Sequence, residues 1–127
     1  MLACGDVYPQ SVSRVWVADN GDGTYRNPII HADYSDPDVI RVGEDFFMTA
    51  SSFNVAPGLP ILQSKDLVNW RIINHVFREQ QPADVFRKPQ HGGGVWAPSI
   101  RYREGEFYIY YGDPDFGIYM TRTKDPA

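Results

Sequence analysis

This chain carries an echo of itself. The run Asp36-Pro37-Asp38-Val39-Ile40-Arg41, the turn Gly43-Glu44-Asp45 and the run Phe46-Phe47-Met48-Thr49 return sixty-one residues later. The second copy reads Ala97-Pro98-Ser99-Ile100-Arg101-Tyr102, then Glu104-Gly105, then Phe107-Tyr108-Ile109-Tyr110. Aromatic and β-branched runs bounded by Gly, Pro, Asn and Asp are strands rather than helices. A fixed period of this length, built from short strands and turns, implies a propeller or a related repeat array. In the first copy four strands are expected, over Val39–Val42, Phe46–Ser51, Pro60–Gln63 and Trp70–His75. Four strands is the content of one propeller blade. The second copy continues through Met120 to Asp125. One complete unit and most of a second cannot close a ring, and repeat units bury their faces against neighbours. The expectation is therefore an all-β chain comprising the opening, truncated portion of a propeller. A small self-contained β-sandwich is the competing fold, and it leaves the echo unexplained.

The chain divides into an N-terminal tether and hairpin over 1–26 and a first blade with an incomplete second blade over 27–127. Val15-Trp16-Val17 and Thr24-Tyr25-Arg26 flank an Asp/Asn/Gly cluster that reads as a turn. That cluster lacks the downstream glutamate of a calcium loop. The segment Asp84 to Lys88 is expected to form a single helical turn at most. The lone Cys4 excludes an intrachain disulfide and a cysteine-rich zinc site. Met1-Leu2-Ala3-Cys4-Gly5 resembles the end of a bacterial lipoprotein signal, without the charged and apolar regions a secretory signal requires. A genuine lipidation remnant would place the protein outside the cytoplasm; an accidental match would leave it cytoplasmic. A formal charge of −4, with 12 scattered basic residues, gives no attraction to nucleic acid. No stretch has the length of a membrane span. His31, His75 and His91 show no ligand spacing, so neither metal nor cofactor is assigned.

Candidate chemistry lies in two acidic groups. Asp33 to Asp38 stands at the entry to the first blade strand, which in a propeller lines the central channel. Asp36 is the candidate there, since Pro37 restricts the backbone beside it. An Asp-Pro turn is the ordinary alternative. Tyr111-Gly112-Asp113-Pro114-Asp115 follows the aromatic strand of the second copy, at the blade position of Ser51-Ser52-Phe53 in the first. Carboxylates delivered by equivalent edges of adjacent blades suit glycoside hydrolysis, which needs separated carboxyl groups in distinct protonation states. Phe53 and Trp96 could supply apolar faces for a sugar ring, although each taken alone reads as core. Trp70 reads as a packing residue. Between the copies a long connection ends in His91-Gly92-Gly93-Gly94, which implies either close backbone approach or mobility.

Four runs together resemble glycoside hydrolase family 43: Asn27 to Val39, Ser52-Phe53 to Pro60, Ser64 to Trp70, and Gly94-Val95-Trp96-Ala97-Pro98. They occur in the family's order from about Val15 onward. The resemblance implies a five-bladed β-propeller that cleaves β-xylosides or α-L-arabinofuranosides with inversion, acting on an oligosaccharide or small glycoside. It implies that Asp36 is the general base and that Asp113 tunes and orients the general acid. Phe53 and Trp96 match aromatics bounding the sugar pocket. The family's general acid is a glutamate on the third blade. None of Glu44, Glu79, Glu104 or Glu106 lies in its motif, and Glu44, Glu104 and Glu106 read as solvated turn residues. The isolated chain is thus expected to be inactive without the remainder of the propeller. A non-catalytic carbohydrate-binding fragment, or one part of a split gene product, is the alternative.

Overall fold

The computed structural model describes residues 15–54 and 58–127. Cys4 and the expected tether up to Ser13 lie outside the described residues. The described elements are β1 (Asp38–Val42), β2 (Asp45–Thr49), β3 (Gly58–Ser64), β4 (Trp70–Phe77), α1 (Ala83–Phe86), β5 (Trp96–Arg103), β6 (Glu106–Asp113) and β7 (Gly117–Thr123). They form two antiparallel meanders, β1-β2-β3-β4 and β5-β6-β7. Helix α1 is the single turn expected near Asp84. Where two N-terminal strands are expected, the chain makes one isolated bridge, Asp19 to Tyr25.

The echo survives as register. Asp38 pairs with Thr49 and Ile40 with Phe47 in the first sheet; sixty-one residues on, Ser99 pairs with Tyr110 and Arg101 with Tyr108. Equivalent two-residue turns cause this, Gly43-Glu44 and Glu104-Gly105. Left-handed backbone at Gly43 (φ 62°), Glu104 (53°) and Gly105 (82°) matches the twist of a tight hairpin.

The two sheets pack through unlike faces. Phe47 and Ile61 of the first meet Ile100, Phe107 and Ile109 of the second in one core, where the Phe47 and Phe107 rings meet edge to face at 4.9 Å. The residue of the second sheet equivalent to Phe47 is Tyr108, and its face, with Tyr110, Met120 and Ile118, turns away from that core. Ile118 is 83% and Met120 52% exposed. Head-to-tail stacking of equivalent sheets is repeat geometry, whereas a closed sandwich turns the apolar faces of both its sheets toward each other. The site-bearing edge follows from this packing, because β1 lies against β5 and brings the starts of both strands together.

Candidate active site

Asp36 stands just before β1, in a left-handed conformation (φ 50°) that Asp tolerates better than most residues. Its carboxylate is exposed, yet held. Ser35 Oγ donates to Oδ2 at 2.6 Å and Ser51 Oγ donates to the same oxygen at 2.8 Å. These two hydroxyls hold the Asp36 carboxyl below the usual carboxylate range, against a smaller opposing effect of burial. The carboxylate is accordingly ionised at neutral pH. Ser51 lies two residues beyond β2; its own N–H donates to Ser35 O at 3.0 Å. Its Oγ also accepts from the Ala97 amide of the second sheet at 2.8 Å. Two residues along from Asp36, Asp38 Oδ2 accepts from Ile100 N at 2.8 Å and from Arg101 Nη1 at 2.6 Å. The acidic run thus joins the sheets twice.

The glycine-rich connection closes on the same edge. Ser52 and Val95 exchange backbone hydrogen bonds at 2.9 and 3.1 Å, and Phe53 O accepts from Gly92 N and Gly94 N at 3.3 and 3.0 Å. Asn54 Oδ1 accepts from His91 N at 3.0 Å, and Trp96 Nε1 donates to Gly92 O at 2.9 Å. Gly92 has φ 101°, and a Cβ on Gly93 would lie 3.2 Å from Gln90 O. A left-handed backbone at Gly92 and a close approach of Gln90 O at Gly93 are what favour glycine at these two positions. Phe53 and Trp96 are therefore brought together through Gly92. Trp96 is 41% exposed, so it is not a core residue. Trp70 is half-buried and lines a cavity of about 620 Å³ with Trp16, His31 and Gln63, which none of Asp36, Phe53, Trp96 and Asp113 lines.

Asp113 differs from Asp36 in burial and in partners. It is the last residue of β6, inside the strand rather than after it, and its neighbour Gly112 pairs with Trp96. It shares the buried face of β6 with Ile109 and Tyr111 and is 5% exposed. Its Oδ1 accepts from Asp115 N and Phe116 N at 2.9 Å each, closing the β6–β7 turn. Its Oδ2 is buried with no hydrogen-bond partner among the described residues, a costly condition for a carboxylate oxygen. Beside it, Tyr111 OH donates to Gln80 Oε1 at 3.1 Å and Tyr119 OH donates to Gln81 O at 2.8 Å. Burial, with Tyr119 alongside, pushes the Tyr111 hydroxyl up to about 12. Asp36, Phe53 and Trp96 thus lie where the start of β5 and the glycine-rich connection meet the segment around β1, Asp113 ends the central strand β6 one residue from the partner of Trp96, and the structure records no bond between the two aspartates.

Sequence reading missed Ser35, Ser51 and the Ala97 amide as partners of Asp36. Register could have found Ser51: two residues beyond the Asp38–Thr49 pair come Asp36 and Ser51. It also misjudged Glu106. That side chain is not solvated but half-buried at the head of β6, accepting from Tyr108 OH at 3.1 Å with Arg122 Nη1 at 3.5 Å. Glu44 and Glu104 are exposed as expected. Among the described residues no cluster of three His, Cys, Asp or Glu side chains could hold a metal, and no helix is long and apolar enough to cross a membrane.

The model of glycosyl hydrolases family 43 matches residues 25–127. A β-xylosidase of Formosa agariphila is 42% identical over 110 residues, covering 84% of this chain and 19% of that protein. The non-reducing end α-L-arabinofuranosidase BoGH43B of Bacteroides ovatus is 39% identical over 108 residues, covering 82% of this chain and 20% of its own length. The crystal structure of the GH43 protein BlXynB from Bacillus licheniformis superposes with a TM-score of 0.72 at 35% identity, over 80% of this chain and 22% of that one. The chain spans about a fifth of the length of these relatives. Its two sheets are consecutive blades of the five-bladed β-propeller of those enzymes. With the family's model matched from residue 25 to residue 127, this chain belongs to glycosyl hydrolase family 43.

Proposed function

We propose that the protein carrying this chain hydrolyses terminal β-xylosides or α-L-arabinofuranosides of plant cell-wall glycans with inversion of configuration, and that Asp36 is its general base. The observation that carries this reading is the Asp36 carboxylate: ionised, exposed and fixed by two serine hydroxyls on the edge that also presents Trp96 and Phe53. In inversion a carboxylate takes a proton from water as that water attacks the anomeric carbon, while a carboxylic acid on the opposite side protonates the leaving oxygen. Both hydroxyls go to Oδ2, so Oδ1 is the oxygen left to accept the water's proton. Trp96 and Phe53 offer apolar surface to the sugar ring. Asp113, buried and with one oxygen unspent, suits a residue that orients the acid rather than one that meets substrate. The acid itself is expected outside these residues, since no glutamate of this chain lies in the family's motif.

The test is hydrolysis of nitrophenyl β-xyloside and nitrophenyl α-arabinofuranoside by the longest polypeptide carrying this chain, alongside its Asp36→Ala variant. Turnover that collapses in the variant, with retained folding, supports the reading. Equal turnover by the variant rejects Asp36 as the base. Affinity for xylo- or arabino-oligosaccharides with no turnover would favour the alternative, a carbohydrate-binding role.

A further inference from the structure

Ser51 occupies a position that the hydrolytic chemistry alone does not require. It is 7% exposed and makes three inter-segment contacts: N–H to Ser35 O, Oγ to Asp36 Oδ2, and Oγ from Ala97 N. The direction of these bonds is dictated by chemistry. An amide N–H can only donate, so toward Ala97 the Ser51 oxygen is the acceptor and its single proton is free for Asp36. Ala97 belongs to the other blade and holds φ 40°, a left-handed conformation that Ala adopts at a cost, directly before Pro98. The second blade therefore aims an amide at Ser51, and Ser51 aims its proton at the carboxylate.

We propose that Ser51 is a positioning residue for Asp36, transmitting the placement of the second blade to the carboxylate and reserving Oδ1 for water. This inference rests on the reading of Asp36 as the base. Ser35 also bonds Oδ2, but it is the chain neighbour of Asp36, and among the described residues it makes no hydrogen bond to the second blade. The ionisable groups on the elements that meet here are Asp33 and Tyr34 on the segment of Asp36 itself, Asp38 and Arg41 on β1, Asp45 on β2, Arg101, Tyr102 and Arg103 on β5, and Glu106, Tyr108, Tyr110, Tyr111 and Asp113 on β6. Asp38 and Arg101 are paired with each other, and Asp113 is tied to its own turn. Among the described residues the side-chain donors to the Asp36 carboxylate are the hydroxyls of Ser35 and Ser51.

The test uses the longest polypeptide carrying this chain and compares wild type, Ser51→Ala and Ser51→Thr. Loss of one hydrogen bond to a charged group should lower kcat/KM on the order of tenfold at neutral pH, with the loss in kcat rather than KM. The acid limb of the pH profile should move to higher pH, since a carboxylate that loses a donor protonates more readily. Ser51→Thr, which keeps the hydroxyl, should restore both. Ser51→Cys serves where Ser51→Ala does not fold, and its weak S–H donor should give the same displacement. A folded variant without the hydroxyl and with an unmoved acid limb overturns the proposal. A ¹³C titration of the Asp36 carboxyl separates the two readings, because it needs no turnover. A midpoint that rises without the Ser51 hydroxyl supports the contact even if Asp36→Asn keeps full activity, an outcome that would reject the base alone. A midpoint that stays put overturns the role of Ser51 even if Asp36→Asn is inactive.

Discussion

Asp38→Ala should destabilise the protein far more than its half-exposed position suggests. The carboxylate reaches across from β1 to accept the amide of Ile100, a residue of zero exposure at the centre of the inter-blade core. Deleting it removes a hydrogen bond to a charged acceptor and leaves a buried amide unpaired, a loss of about 1.5–3 kcal/mol. The ion pair with Arg101 adds little. The arginine side chain is 61% exposed and the aspartate 29%, and such pairs contribute about 0–1 kcal/mol. Three variants apportion the effect. Asp38→Ala should cost about 2–3 kcal/mol in urea unfolding. Asp38→Asn keeps an oxygen for the Ile100 amide and should cost about 1 kcal/mol. Arg101→Ala should cost no more than about 0.5 kcal/mol. Hydrogen exchange at the Ile100 amide gives the local reading, with protection lost in Asp38→Ala and kept in Arg101→Ala. If Arg101→Ala costs as much as Asp38→Ala, the surface pair carries the energy and the reasoning from the buried amide is wrong.

Asp113→Asn retains an oxygen for the Asp115 and Phe116 amides, so it should leave stability near wild type while abolishing most turnover; Asp113→Ala should lose about 1–2 kcal/mol as well. Equal melting temperatures for the two variants would show that the turn does not depend on the side-chain oxygen. At Asp66, burial pushes the carboxyl up, but bonds from the Asn69 side chain, the Asn69 and Val68 amides and Ser64 outweigh it and hold it at about 2. The unfolded chain protonates this group near pH ~4, so its stabilisation is complete above that value and is lost as pH falls toward 2; after allowance for solvent screening it amounts to about 1 kcal/mol. The fall of the urea midpoint between pH ~4 and ~2 should be shallower in Asp66→Asn, and an identical slope would contradict the assignment. Gly58→Ala would set a Cβ 2.0 Å from Phe77 Cε2, displacing a ring that lies 5.5 Å from that of Tyr111. A loss of about 1–3 kcal/mol should follow, and an unchanged unfolding curve would mean that the Phe77 ring yields freely.

What this chain is built from was legible in its residues. The 61-residue echo, the turn residues and the aromatic and β-branched runs are local features, and local features decide strands and hairpins. That is why the strand limits of the first copy and the single helical turn at Asp84 came close to those observed. The ordered motifs around Asp36, Phe53, Trp70 and Trp96 likewise carried the family. What the side chains do where the sheets meet was not legible, because it depends on residues far apart in sequence. Ser51 meets Ala97 and Asp38 meets Ile100 only once β1 lies against β5. The opposite fates of Asp36 and Asp113 have the same origin. Both are aspartates beside a proline at a strand end, and packing alone leaves one in solvent under two hydroxyls and buries the other with an oxygen unpaired. Glu106 read as solvated for the same reason, since only the pairing of β6 with β7 brings Arg122 beside it. Pattern in the chain determines which elements form; the direction of a buried proton or the burial of a carboxylate is decided where one blade closes on the next.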